Sequence, residues 1–427
     1  LIIKDLIVTP IAFSDPPLLN ADGVHEPLAL RTIVQLIVDG GVDGGDGGGD
    51  SVVVGLGEGS GGAEVARRVE QVRSAVVGLS VFDLNGIEAA VNAALGGDAG
   101  PLSRRDRRVV YSMLDVAAHD AQGKLTGLPV AELLGGRVRD RVPYSAYLFY
   151  KWAGHPRSDA VDDVEPDAWG EALDPVGIVA QARALIDWYG FGSIKLKGGV
   201  FGPDEEIAAI RALAEAFPGL PLRIDPNGAW SHDTAVRVAT ELDGVLEYLE
   251  DPVLGIDGMA AVAREVSQPL ATNMCVVTFE QLAEAFAKDA VQIVLSDHHY
   301  WGGLRHTREL AAICGHWGVG VSMHSNSHLG ISLAAMTHVA AATPELAYAC
   351  DTHYPWNRAE DVVMPGALEI VDGAVRVPHA PGLGVVLDEA ALERQHKVFV
   401  DSGRSVRDDS GYLQRFDPTY SPTLPRY

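Results

Sequence analysis

"FGSIKLKGGV", residues 191–200, sets Lys195 and Lys197 two places apart in a short apolar run bounded by glycines. Such a run reads as a strand, and residues i and i+2 of a strand point to the same face. Two ammonium groups therefore stand side by side, each disfavouring the charged form of the other. The segments on either side supply a reason for the pairing.

Downstream, short apolar runs alternate with amphipathic helical patterns. The runs include "LRIDPNGAW" (222–230), "LEYLEDPV" (246–253), "LATNMC" (270–275), "VQIVLSDHH" (291–299) and "VSMHSNSH" (321–328). Between them lie helical stretches such as "IAAIRALAEAF" (207–217) and "LRHTRELAAICGHWG" (304–318). Strand–helix alternation predicts parallel βαβ units, and an unbroken series starting at Pro143 favours a (β/α) barrel over an open sheet. Upstream, "IIKDLIVTPIAF" (2–13), "RTIVQLIVD" (31–39) and "SVVVGLGEG" (51–59) read as strands, and helical patterns cover 62–78, 86–95 and 104–122. This predicts a separate α+β unit over 1–142. The GxGxG in "VVVGLGEG" sits in a hairpin rather than between a strand and a helix, so it is no dinucleotide turn. The tract "GGVDGGDGGGD" (40–50) reads as a hairpin tip, and residues 365–427 read as a helix-poor tail.

Composition bounds the partners. Of 427 residues, 47% are hydrophobic and 21% charged, which suits a globular chain with a sizeable core. A net charge of −25 argues against nucleic acid or an anionic membrane as partner. Cys275, Cys314 and Cys350 are too few and scattered for a disulfide framework. With no apolar run of about 18 residues and no signal-peptide pattern, a cytoplasmic protein is expected.

Barrel enzymes carry their chemistry at the C-terminal ends of the strands. The polar residues closing the successive runs are Lys195 and Lys197, then Asp225, Glu250, Asn273, Asp297 and His324, about 25 residues apart. Each alone has an ordinary reading as turn former or surface charge; kept in phase, they make a ring around a barrel mouth. Asp225, Glu250 and Asn273 offer three oxygen ligands with two negative charges, which suits Mg²⁺. A substrate carboxylate completes such a shell, and the metal then stabilises the enediolate formed when the α proton is removed. One of the crowded lysines serves as base while the other depresses its pKa. Asp297 orients His324 as a second acid/base group across the mouth.

These residues resemble the enolase superfamily and, within it, the glucarate dehydratase family. The resemblance runs through "IKLKGGV", "DPNGAWS", "EDP", "ATNM", "SDHHYW", "HSNSHLGISLAAMTHVAAA", "DTHYPW" and "PGLGV", in the family's order. It implies an α/β fold: a modified TIM barrel, (β/α)₇β, over 143–380, an N-terminal α+β capping domain over 1–142, and a segment 381–427 returning to the cap. It implies Mg²⁺-dependent dehydration of a dicarboxylate acid sugar, D-glucarate giving 5-dehydro-4-deoxy-D-glucarate, by a homo-oligomer. Dehydration or epimerisation of a related aldarate such as L-idarate is the alternative. Lys197 would be one base and His324, paired with Asp297, the other, with Lys195 beside the metal-bound carboxylate. Substrate contacts carry over to His25, Asn20, Tyr147, Asn227, Ser325, Asn326, His353 and Arg407. Two departures stand out. The connection after "EDP" is short, leaving Asp257 as an alternative third ligand to Glu250. The family's threonine on the 80–105 loop is missing, with Ser103 the nearest substitute.

Overall fold

The computed structural model describes residues 1–42, 50–100, 102–158 and 163–427. Most of the 40–50 tract, read above as a hairpin tip, lies outside the described residues. The N-terminal unit is an antiparallel sheet of Ile3–Ser14, Leu28–Val42 and Asp50–Ser60, with Leu28–Val42 in the middle. Period-two alternation divides its side chains between two cores. Leu6, Val34 and Leu36 pack under the helices Ala63–Val76, Leu84–Ala94 and Arg104–Thr126, whereas Phe13, Ile33 and Leu56 join the core of the rest of the chain. The glycines of "GLGEG" explain how Arg104–Thr126 lies so flat on the sheet. A Cβ on Gly55 would meet Ala117 O at 2.0 Å, and one on Gly57 would meet Met113 O at 2.2 Å. The alternation then turns Glu58 away from that helix, toward the second unit.

Among the described residues, that second unit contains seven parallel strands in chain order: Ala146–Lys151, Ile194–Lys197, Leu222–Asp225, Leu246–Glu250, Leu270–Thr272, Ile293–Ser296 and Gly320–Met323. Nearly every residue in them is buried, as strands covered on both faces require. Segment 346–350 closes the ring, bridging Val321 through Leu346 and Tyr144 through Cys350. The result is an eight-membered barrel whose last member carries no following barrel helix, the modified (β/α)₇β form. Leu18–Asn20 pairs antiparallel with Ala146–Lys151, which ties the N-terminal unit to the first barrel strand.

The tail is not helix-poor. Asp388 accepts from Ala391 N to cap a helix Glu389–Ser402, whose His396 Nδ1 lies 2.7 Å from Pro10 O on the first strand. The last residues leave the cap for the barrel: Arg426 N donates to Ala229 O (2.7 Å) and the Tyr427 hydroxyl to Val200 O (2.9 Å). Among the described residues, no helix is long and apolar enough to cross a membrane.

Candidate active site

Parallel register brings the strand ends together. Lys197 is paired with Asp225 across the two strands, and its Nζ lies 2.5 Å from Asp225 Oδ2 and 2.7 Å from Asn227 Oδ1. Lys195, wholly buried, lies 2.6 Å from Glu250 Oε2, 2.7 Å from Asp351 Oδ2 and 3.7 Å from Asp225 Oδ2. The loop after Lys197 is fixed from behind by Glu206, whose carboxylate accepts from the backbone N–H of Gly199, Val200 and Phe201 at 3.0, 2.9 and 3.2 Å.

The electrostatics differ from the expectation that two lysines depress each other. Burial pushes the Lys195 ammonium down, but Asp351 and Glu250 outweigh it and hold it well above the ordinary lysine value. Lys197 is likewise raised: burial pushes it down, but Asp225 together with Tyr147 and Glu250 outweighs burial and Lys195. The carboxylates divide accordingly. Burial raises Asp225, yet Lys197 and Lys195 bring it below the usual range. Burial, with Asp225 and Asp351 nearby, lifts Glu250 well above its usual value despite Lys195. Burial pushes Asp251 up to about 7.

Asp225, Glu250 and Asp251 bring ligating oxygens within 4.8 Å of one another. With Asp351 there are four buried carboxyls against two ammoniums, and a divalent cation here would favour the ionised forms that burial and neighbouring acids disfavour at Glu250 and Asp251. Asn273 Nδ2 donates to Glu250 Oε1 at 2.5 Å, which leaves the amide oxygen as its ligating atom. Oxygen donors of this kind fit a hard ion. Asp251 is otherwise engaged, accepting from Thr272 Oγ1 (2.5 Å), Asn273 N (2.8 Å) and Met274 N (3.1 Å), and so shapes the loop carrying Asn273. The alternative ligand Asp257 is excluded by its place on an outer helix, where it is 87% exposed and pairs with Lys288 at 2.6 Å.

Across the mouth, Asp297 Oδ2 accepts from His324 Nδ1 and Asn326 Nδ2, both at 3.1 Å. Its other oxygen takes His299, at 3.0 Å from the backbone N and 2.7 Å from Nδ1. Burial opposes the charge on Asp297, but the two imidazoles hold it well below the usual carboxylate range. Asp297, His298 and His299 are another close set of ligating groups. There the Arg31 guanidinium, 3.0 Å from His299 Nε2, repels a cation.

A cavity of about 500 Å³ lies over these groups. It is lined by Lys197, Asn227, Tyr147, His324, Ser325, Asn326 and His353 from the barrel, by Asn20 and His25 from the cap, and by Arg407 from the tail. Lys195, Asp225, Glu250, Asn273 and Asp297 sit beneath or behind this lining. Ser325 Oγ lies 3.0 Å from His353 Nδ1, and burial holds His353 well below the ordinary histidine value. Arg407 is already engaged, its Nη1 2.8 Å from Asp15 and its Nε 2.7 Å from Asp409, while His25 Nδ1 lies 3.1 Å from the same Asp15. Ser103 is not brought to the cavity. It caps the helix Arg104–Thr126 in a capping box with Asp106.

Sequence reading missed Asp351, Asp251, Arg31, His299 and Asp15. Asp351 ends the eighth barrel segment, too short and irregular to show as a strand. Arg31 and Glu58 carried a signal: charges inside apolar strands, on the face opposite the glycines of 55–59.

Comparisons with known proteins agree with this geometry. Residues 177–391 match the family model described as enolase C-terminal domain-like. A probable glucarate dehydratase of Streptomyces coelicolor is 53% identical over 98% of this chain and 97% of its own. An enolase structure from Mycobacterium smegmatis, complexed with tartrate, is 56% identical with a TM-score of 0.92, covering 100% of this chain and 98% of that one. One from Pseudomonas fluorescens, with bound magnesium, potassium and tartrate, is 47% identical with a TM-score of 0.92, covering 100% and 99%. The chain therefore belongs to the enolase superfamily and, within it, to the glucarate dehydratase family.

Proposed function

We propose that the protein is a Mg²⁺-dependent hydro-lyase of dicarboxylate acid sugars, converting D-glucarate to 5-dehydro-4-deoxy-D-glucarate and water. One observation carries this reading: Lys197 and the His324–Asp297 pair face a single cavity above a buried cluster of carboxyl groups. Asp225, Glu250 and Asn273 would hold Mg²⁺, which when bound polarises a substrate carboxylate and acidifies the adjacent C–H. Lys195 lies on the same side and adds its positive charge to that carboxylate. Lys197 is held as an ammonium by Asp225; once that carboxylate serves a bound cation, the pull on Lys197 weakens, and its neutral Nζ takes the α proton from one face of the carbon. His324 takes it from the other face, or returns a proton to the departing hydroxyl, with Asp297 balancing the imidazolium charge. Tyr147, Asn227, Ser325 and His353 hold the hydroxyls, while His25 and Asn20 close the far end. The family resemblance and the relatives' tartrate and magnesium support the same chemistry.

A second reading is favoured by two observations. Two relatives hold tartrate, a shorter diacid, and Ser103 is absent from the cavity lining, so a related aldarate such as L-idarate is the alternative substrate. Incubation with MgCl₂ and each candidate in D₂O, followed by proton NMR, separates the two. A 4-deoxy-keto product from D-glucarate supports the first reading. Deuterium at C5 without loss of water moves the function to epimerisation. No change in any aldarate, with EDTA also without effect on stability, rejects both.

A further inference from the structure

Asp297 is shared by two histidines, and the cavity exposes only one of them. His324 lines the cavity, whereas His299 is 2% exposed and lies on the short helix His298–Trp301 behind it. By hydrogen bonding to Asp297 alone, either ring is a candidate to share the carboxylate's charge. The far side of His299 distinguishes them. Its Nε2 lies 3.0 Å from Arg31 Nη2 and 2.8 Å from Ser332 Oγ. A guanidinium donates only and keeps its protons throughout the working pH range. Arg31 Nη2 also donates to Ser332 Oγ (3.2 Å), so the serine hydroxyl can direct its own proton to Nε2, and the arrangement assigns the lone pair of His299 to Nε2 and its proton to Nδ1, directed at Asp297. A proton on Nε2 would set N–H against N–H and an imidazolium against a guanidinium.

Arg31 is held firmly in this position. Its Nε lies 2.8 Å from Glu58 Oε1 and its Nη1 2.6 Å from Asn326 Oδ1. The Glu58 carboxylate also accepts from Leu329 N (2.9 Å) and Ser332 N (2.8 Å) at the start of a barrel helix. The charged and titratable groups facing His299 are Asp297, Arg31, Glu58, His298 and His328. Burial keeps His298 well below the ordinary histidine value and brings His328 to about 3, so neither adds positive charge at neutral pH.

We infer that Arg31, from the capping domain, is a positioning residue that locks His299 as the neutral Nδ1–H tautomer and so reserves the charge of Asp297 for His324. The inference rests on the acid/base reading above. It extends that reading by making the barrel's histidine base depend on a side chain of the cap. Glu58, Arg31, Asp297 and a protonated His324 then alternate in sign from the cap sheet to the cavity.

The test uses side-chain ¹⁵N spectra of the Mg²⁺-loaded full chain, with His299 assigned by comparison with His299→Gln. At neutral pH the wild type is expected to carry the His299 proton on Nδ1, with Nε2 bare. In Arg31→Met, Nε2 gains proton occupancy under the same conditions. Deuterium exchange at C5 from the epimer served by His324 falls at least about tenfold, while exchange from the epimer served by Lys197 is retained. Arg31→Lys, another donor-only cation, restores part of both. Because Arg31→Met leaves Glu58 buried without a counter-ion, Arg31→Met/Glu58→Gln is measured beside it. A protonated Nε2 in the wild type, or an unchanged tautomer and unchanged exchange in the double variant, overturns the inference. If no aldarate reacts at all, the functional reading fails while the ¹⁵N spectra still decide the tautomer.

Discussion

At Lys197 the short contact to Asp225 and the longer one to Asn227 leave the ammonium at the cavity wall, only 6% exposed. Lys197→Met should lower deuterium exchange from one C5 epimer by at least about 10²-fold and spare the other. Equal loss from both epimers would count against two separate bases. Asp15 offers a stability test independent of catalysis. Burial raises its carboxyl, but His25 and then Arg407 bring it below the ordinary value. A depressed folded value means that its contribution is fully present above the unfolded value of about 4 and is lost as pH falls through the folded one. Asp15→Asn should therefore cost about 2 kcal/mol in urea unfolding at neutral pH and progressively less below about pH 4. A cost independent of pH would show that charge plays no part. Lys195 and Lys197 show what residue-level reading misses. Their adjacency was legible as an i, i+2 pair, yet Asp351, some 150 residues along the chain, helps to reverse the sign of the effect.

At the level of elements, the strand Asp50–Ser60 serves two surfaces at once. Gly55 and Gly57 admit the backbone of Arg104–Thr126, and Glu58, next to Gly57 on the opposite face, reaches the barrel helix through Leu329 and Ser332. Gly57→Ala should push that helix off the sheet and cost at least about 2 kcal/mol in chemical unfolding, because the obstructing atom is a backbone oxygen. A stability within error of the wild type would mean that the close approach is not needed. The barrel strands were legible because each is a continuous apolar run ending in one polar residue. The eighth segment was not, since it makes only isolated bridges through Leu346 and Cys350. The tail helix Glu389–Ser402 was missed because only Ala391, Leu392 and Gln395 are buried, too narrow an apolar stripe to stand out.

For the whole molecule, the candidate metal ligands come from three separate barrel strands or strand ends, so an ion held there braces the barrel. MgCl₂ should raise the thermal midpoint, with stabilisation of about 2.7 kcal/mol at a free concentration a hundred times Kd. Asp225→Asn should abolish that concentration-dependent rise, and a rise of the same size in the variant would remove Asp225 from the ligand set. The cavity above is a joint product of cap, barrel and tail, since Asn20, Lys197 and Arg407 line it together.

The sequence by itself determined the alternation of apolar runs and helices, the phase of the polar residue closing each run, and hence a barrel with Lys195, Lys197, Asp225, Glu250, Asn273, Asp297 and His324 at one end. These are local properties, set by strand periodicity and by the one-residue-per-unit spacing. Tertiary structure alone decided which charges meet. It removed Asp257 to an exposed pair with Lys288, committed Ser103 to a helix cap, gave Arg407 the carboxylates of Asp15 and Asp409, and set Arg31 against His299. Pairing energies depend on distance and burial across the folded molecule, and spacing along the chain specifies neither.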